Sequence, residues 1–124
     1  NPADVCATFP NYDLLFNGSS YSPHEGQLLR IALVRQFDGL LISDQSLTVT
    51  TDYAFSFEVL GGLQAGMDYT IDYFADADGS GDYSPPSNDH AWRYELIDVT
   101  EDTSITEYHN IDFTDVCATF PSAP

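Results

Sequence analysis

Tyr69-Thr70-Ile71-Asp72-Tyr73-Phe74 sets aromatic and β-branched residues against small or polar ones with a period of two. That is the pattern of a strand lying in a sheet with a buried face. The same reading extends outward in both directions. Phe55, Phe57 and Val59 alternate with Ala54, Ser56 and Glu58, and Trp92, Tyr94 and Leu96 alternate with Arg93, Glu95 and Ile97. Tyr12, Leu14 and Phe16 alternate with Asp13, Leu15 and Asn17. Residues 28–37 read as a longer strand with Leu29, Ile31 and Leu33 on one face, 40–43 and 47–49 as short strands around a turn, and 105–113 as the last long strand. No stretch sustains a helical stripe over three turns. Turn signals separate the runs at Asn17-Gly18, Ser22-Pro23, Asp38-Gly39, Gly61-Gly62, Asp78-Gly79 and Pro85-Pro86. The expectation is an all-β chain: a two-sheet antiparallel Ig-like β-sandwich of seven or eight strands. It is Ig-like in architecture only, because the Cys-Trp-Cys framework of antibody domains is missing.

A chain of 124 residues accommodates one domain with one core, so residues 1–124 are read as a single module. The 43% hydrophobic content supplies enough apolar surface to offset ordering entropy and excludes a disordered chain. Twenty acidic residues face three basic ones, lysine is absent, and the formal net charge is -17. Such a surface repels phosphate backbones and anionic membranes, which argues against nucleic-acid binding. No apolar run approaches the ~20 residues of a membrane helix, and no basic-then-apolar leader opens the sequence. Self-repulsion of this size calls for counter-ions, with a divalent cation the obvious one; solubility in a salty medium is the plainer reason for the acidity.

A repeat organises the chain. Asp4-Val5-Cys6-Ala7-Thr8-Phe9-Pro10 returns letter for letter at 115–121, an offset of 111 residues, which points to duplication on the length scale of a sandwich domain. Val5, Ala7 and Phe9 would share one face of a short connecting strand, with Val116, Ala118 and Phe120 repeating them and Pro10 and Pro121 ending it. Two placements of these terminal segments, 4–10 and 115–121, stay open. They are junctions between successive modules arranged head to tail, or paired ends of one module bridged by Cys6 and Cys117. The cysteines have no metal or haem spacing. Asn17-Gly18-Ser19 has the form of a glycosylation sequon, so a glycan is a candidate partner. Abundant Thr, Ser, Tyr and Gly together with a candidate disulfide favour an extracellular location.

The strongest chemical motif is Asp76-Ala77-Asp78-Gly79-Ser80-Gly81-Asp82-Tyr83. Oxygen-bearing residues at positions 1, 3 and 5 with glycine at 6 match the first half of an EF-hand-type calcium loop. Calcium takes six to eight hard oxygens, and Asp82 can supply a carbonyl or its carboxylate. Ser87 stands where the EF-hand places its bidentate Glu, which leaves Asp89 as the substitute and Asp72 as a further approach from the preceding strand. Calcium is therefore the expected cofactor, held by Asp76, Asp78, Ser80, Asp82 and Asp89; an acidic Gly-rich turn that stays hydrated is the bland alternative.

His24 lies in a turn, His90 opens the Trp92 strand, and His109 is read as mid-strand. Three imidazoles could hold copper or zinc, but spacing alone does not make them converge, and strand-end hydrogen bonding is the commoner role. A blue-copper centre needs a cysteine beside a histidine, which the sequence does not offer. Catalytic motifs are also lacking: there is no Gly-x-Ser-x-Gly elbow, no HExxH and no Cys–His neighbourhood. The chain reads as a non-enzyme.

Pro23-His24-Glu25-Gly26-Gln27, the 76–83 loop, Pro85-Pro86, Asp89-His90-Ala91-Trp92-Arg93, His109-Asn110 and Phe113-Thr114-Asp115 resemble a group of uncharacterised bacterial extracellular Ig-like repeat domains. The resemblance covers residues 12–117; the Cys-containing terminal copies lie outside its pattern. It implies a sandwich carried on multi-domain surface proteins. The function expected is that of a structural, calcium-stabilised module of an extracellular fibre or cell-surface stalk, with copies of itself as head-to-tail neighbours. A carbohydrate-binding module is the alternative, for which Tyr12, Tyr21, Tyr53, Tyr83 and Trp92 are the candidate aromatics, although core packing is the expected place of Trp92. A histidine-based copper or zinc carrier is a third reading.

Overall fold

The computed structural model describes residues 11–84 and 89–120. Seven strands lie among them: β1 (Asn11–Ser19), β2 (Leu28–Arg35), β3 (Leu41–Thr48), β4 (Phe55–Gln64), β5 (Tyr69–Ala75), β6 (His90–Leu96) and β7 (Thr103–Tyr108). They form a three-stranded sheet in the order β4-β1-β7 and a four-stranded sheet in the order β3-β2-β5-β6. The architecture is a two-sheet β-sandwich. Alternation builds its core, because every second residue of each strand turns toward the opposite sheet. Leu14 and Phe16 from β1, Leu29, Ile31 and Leu33 from β2, Phe57 from β4, and Ile71 and Tyr73 from β5 are all buried in one cluster. Trp92 joins them at 3% exposure, in the core as expected.

Several local expectations need correction. The pairing is not wholly antiparallel: β1 and β7 run parallel, with Phe16 opposite Ile105. Residues 41–48 form one continuous strand rather than two short ones, because β2 pairs with it from Leu28 to Val34, with one register shift between Leu33 and Val34. β7 stops at Tyr108, so the strand expected over 105–113 is shorter and His109 follows it. Asn17-Gly18 is not a turn but the end of β1; Gly18 is buried, and a Cβ there would collide with the Phe55 ring. Gly61-Gly62 makes a bulge inside β4, where the register against β1 shifts between Tyr12 and Leu14. Gly61 adopts φ 66° and its amide donates to Asp13 Oδ1 at 2.8 Å, a conformation that favours glycine. The Pro85-Pro86 turn lies outside the described residues.

The outer face of the four-stranded sheet is also covered. Ala32 and Val34 of β2, Phe74 of β5 and Ala91 of β6 meet Tyr83, Val116 and Phe120 in a second apolar cluster. β5 is therefore buried on both faces, from Ile71 to Ala75.

Two core hydroxyls meet in the main cluster, Tyr21 and Tyr73, 3.0 Å apart. Burial pushes the Tyr21 phenol up to about 12, and burial drives the Tyr73 phenol higher still. A folded pKa above the ordinary value of 10.0 gives a stabilising contribution that is complete below pH 10 and lost as pH rises through the folded value. Of the eight tyrosines, these two should stay un-ionised above pH 10, as should Tyr83, whose phenol is raised by burial and by its bond to Asp115, and the two core phenols should release their protons only as the sandwich unfolds. A tyrosinate absorbance titration followed together with circular dichroism checks this. Ionisation of all eight near pH 10 with the fold intact would contradict it.

Candidate functional site

The acidic loop leaves β5 and returns to β6. Asp76 sits at 7% exposure, and its Oδ2 accepts the Gly81 amide at 2.8 Å, closing the loop at the glycine. Asp78 Oδ1 accepts the Ser80 amide at 3.1 Å and its Oδ2 the Ser84 hydroxyl at 3.0 Å. Hydrogen bonds, that of the Ser80 amide first, hold the Asp78 carboxyl down at about 2, fully ionised at neutral pH. Ser80 Oγ donates to the main-chain carbonyl of Asp82 at 2.9 Å, so Asp82 faces Ser80 with its carbonyl. Hydrogen bonds within the loop thus engage the side chains at its positions 1, 3 and 5 and the carbonyl at position 7.

Asp89, fully buried, braces this loop. Its Oδ1 accepts the amides of Ala77 and Asp78 at 2.9 and 3.3 Å, and its Oδ2 accepts that of Ser84 at 2.8 Å. Burial, with the charges of Asp78 and Asp76 adding to it, raises the Asp89 carboxyl above its ordinary value. Carboxylate oxygens of Asp76, Asp78 and Asp89 lie within 4.8 Å of one another. Asp76 Oδ1 is buried and has no hydrogen-bond partner among the described residues. An orphaned carboxylate oxygen beside two further carboxylates is a poor arrangement without a cation and a good one with it. The donor set is all hard oxygen, which suits a hard cation.

Asp72 does not join the loop. It projects from the outer face of β5 directly opposite Arg93 of β6, and the two form a two-pronged ion pair at 2.7 and 3.0 Å. Thr119 Oγ1 donates to the same carboxylate at 2.6 Å. Thr119 belongs to the second copy of the repeat, which packs against its own module. Thr114 N donates to Ala91 O at 2.8 Å, Val116 N to the Tyr83 hydroxyl at 3.1 Å, and the Tyr83 hydroxyl in turn to Asp115 Oδ1. That last bond keeps the Asp115 carboxyl below its usual range. Val116 and Phe120 are buried, with Phe120 edge-on to Phe74 at 5.1 Å and under the Arg30 guanidinium at 5.2 Å. This segment was expected as a strand with Val116, Ala118 and Phe120 on one face. It is a turn instead: Thr119 N and Phe120 N both donate to Val116 O, at 3.0 and 2.9 Å, so residues four apart share the buried side and Ala118 is exposed.

The histidines converge at one end of the sandwich. His24, at 1% exposure, closes the 3-10 turn Ser22–His24; His90 opens β6; His109 hangs from β1 through its amide bond to Ser19 O at 3.2 Å. His24 Nε2 and His90 Nδ1 are 2.9 Å apart, and His24 Nδ1 meets Gln27 Oε1 at 2.8 Å. His109 Nε2 is buried without a partner among the described residues. Burial, reinforced by the neighbouring imidazoles, lowers the pKa of both His90 and His109.

No family model, curated protein or solved structure matches this chain.

The remaining sequence candidates fall apart from these groups. Asn17 lies half-buried on β1 and accepts the Ser56 hydroxyl at 2.8 Å. Cys117 is exposed, while Cys6, with the whole first repeat copy, lies outside the described residues. Of the aromatics considered for a glycan platform, Tyr21, Tyr83 and Trp92 are buried, Tyr12 is half-buried and Tyr53 is exposed. The pattern reading missed Arg93 and Thr119 as partners of Asp72, and Gln27 as a partner of His24.

Proposed function

We infer that this chain is a non-catalytic structural module, stabilised by calcium, of a bacterial extracellular fibre or cell-surface stalk, and that the duplicated heptapeptide joins successive modules head to tail. The observation that carries the reading is the docked second copy, which covers the outer face of the four-stranded sheet with Val116, Thr119 and Phe120. The first copy carries the same three groups in the same spacing as Val5, Thr8 and Phe9. Identical side chains fit an identical seat, so 4–10 would rest on the outer sheet of the preceding module as 115–120 rests on its own. Each junction copy then caps the module before it and leads into the next. The acidic, lysine-free surface and the calcium-type loop agree with an extracellular setting, where calcium is abundant.

The test vacates the seat in the full chain. Phe120→Ala removes the main anchor, whose burial contributes about 1.5–3 kcal/mol, and the segment can lift off rather than leave a cavity. A synthetic peptide with the sequence of residues 4–10 should bind the Phe120→Ala chain and raise its melting temperature, while binding the unaltered chain at least about tenfold more weakly. A peptide carrying Phe9→Ala should do neither. Equal peptide binding to both chains, or none to either, measured by fluorescence anisotropy, would remove the support for a shared seat.

A further inference from the structure

We propose that His24, His90 and His109 form a binding site for a late first-row transition-metal dication, zinc(II) or copper(II), which fastens the two sheets of the sandwich together. Each ring comes from a different part of the topology. His90 is paired with Ala75 in the four-stranded sheet, His109 is tied to Ser19 at the end of β1 in the three-stranded sheet, and His24 sits in the crossover between β1 and β2. An ion held by all three would cross-link both sheets at that end of the sandwich.

The donor geometry suits such an ion. One ring nitrogen from each histidine lies within 4.8 Å of the others. Tetrahedral zinc with bonds of 2.0–2.1 Å needs nitrogens about 3.4 Å apart, a spacing between the 2.9 Å that separates His24 Nε2 from His90 Nδ1 and the 4.8 Å that bounds the cluster. Gln27 Oε1 accepts from His24 Nδ1–H, which leaves the His24 Nε2 lone pair facing the cluster; this is how a ligating imidazole is commonly oriented. His90 Nδ1 already lies 2.9 Å from that nitrogen, and the buried His109 Nε2 has no other partner. Phe113 stacks on His90 at 4.2 Å, Trp92 approaches all three rings within 6.2 Å, and Tyr21 meets His109 at 5.5 Å, so the site is walled by aromatic rings. Imidazole nitrogens in that setting select a borderline ion such as zinc or copper over calcium, which requires oxygen. The net charge of -17 offsets the cost of placing a dication among neutral donors.

The full chain titrated with zinc(II) alone by calorimetry, in the presence of saturating calcium, should take up one ion per chain and melt at a higher temperature. His109→Gln should lose that zinc-dependent rise while keeping the calcium-dependent one, and Asp78→Ala should show the reverse. Gln27→Ala, which touches no ion, should weaken zinc binding by about 10–100-fold. Copper(II) in place of zinc should give nitrogen hyperfine structure in its paramagnetic resonance spectrum and only weak visible absorption, because no thiolate lies in the cluster among the described residues. Zinc uptake unchanged in His109→Gln would assign the ion to the acidic surface and overturn the proposal. So would the absence of uptake. Should His109→Gln fail to fold, an unaltered affinity in Gln27→Ala or a copper spectrum without nitrogen coupling would overturn it equally.

Discussion

Chelating calcium should lower the melting temperature of this protein by on the order of 10 °C relative to a solution holding calcium at a hundred times its dissociation constant. The estimate follows from mass action: a ligand that binds only the folded state contributes about 2.7 kcal/mol at that concentration, and about 1 kcal/mol moves the transition of a domain this size by several degrees. The folded loop supplies the differential affinity. Asp76 Oδ1 is buried and unpartnered, and the carboxylates of Asp78 and Asp89 are held nearby by the loop's own amides. An unfolded chain offers the same residues without that convergence. Asp78→Ala separates a ligand from a structural brace. It removes one of three repelling carboxylates and two exposed hydrogen bonds, so in chelator its melting temperature should differ little from that of the parent, while its response to calcium should be largely gone. Asp89→Ala should behave differently and destabilise the chain even in chelator, since it strands the amides of Ala77, Asp78 and Ser84. Scanning calorimetry of the three chains with and without calcium decides the matter. Identical melting temperatures for the parent in both conditions would exclude a calcium-stabilised module.

Much of this architecture was legible because a sandwich core is built by alternation, and alternation is local. Phe55 and Phe57, Ile71 and Tyr73, and Trp92 and Leu96 all turn inward where their spacing places them. Glycine was the weak point. Gly18 and Gly61-Gly62 read as turns, yet one makes room for the Phe55 ring and the others make a bulge. Sequence cannot separate a glycine that bends the chain from one that yields space to a residue far along it. The acidic loop was legible for the reason the strands were: its ligands are successive residues in one turn. The histidines were not, because the meeting of His24 and His90, 66 positions apart, depends on the chain between them closing into two sheets.

A subtler signal was available for the docked segment. The face of the four-stranded sheet that alternation assigns to solvent carries Ala32, Val34, Phe74 and Ala91, an apolar set that requires a cover. Period-two reasoning stops at the first buried face of a strand. The burial of every residue from Ile71 to Ala75 shows a strand with two, and Asp72 is the polar residue caught on the second.

That position yields the last expected result: Arg93→Ala should destabilise the protein by about 3 kcal/mol and should do so through the docked repeat. Asp72 is fully buried, and its charge is met by the guanidinium at 2.7 Å and by the Thr119 hydroxyl at 2.6 Å. Removing one partner of a buried pair costs about 3–5 kcal/mol, because the other is left charged and dry. Here the low end applies, for two reasons. Arg93 is itself 35% exposed, so solvent screens part of the attraction. The segment above Asp72 is also a turn rather than a sheet strand, and it can lift to let water reach the carboxylate. The second route makes a specific prediction. Arg93→Ala should release 115–120 before the sandwich melts, exposing the amides of Val116, Thr119 and Phe120 to hydrogen exchange while those of β5 stay protected. A double substitution, Asp72→Leu with Arg93→Leu, removes the charge along with its partner and should recover most of the stability, since a well-packed apolar pair can replace a buried ion pair at little cost. Combining Arg93→Ala with Thr119→Val in a double-mutant cycle should give non-additive losses, as both changes act on one carboxylate. Strict additivity, or exchange that rises in β5 as early as in the docked segment, would show that Asp72 is not the group holding the repeat to the sheet.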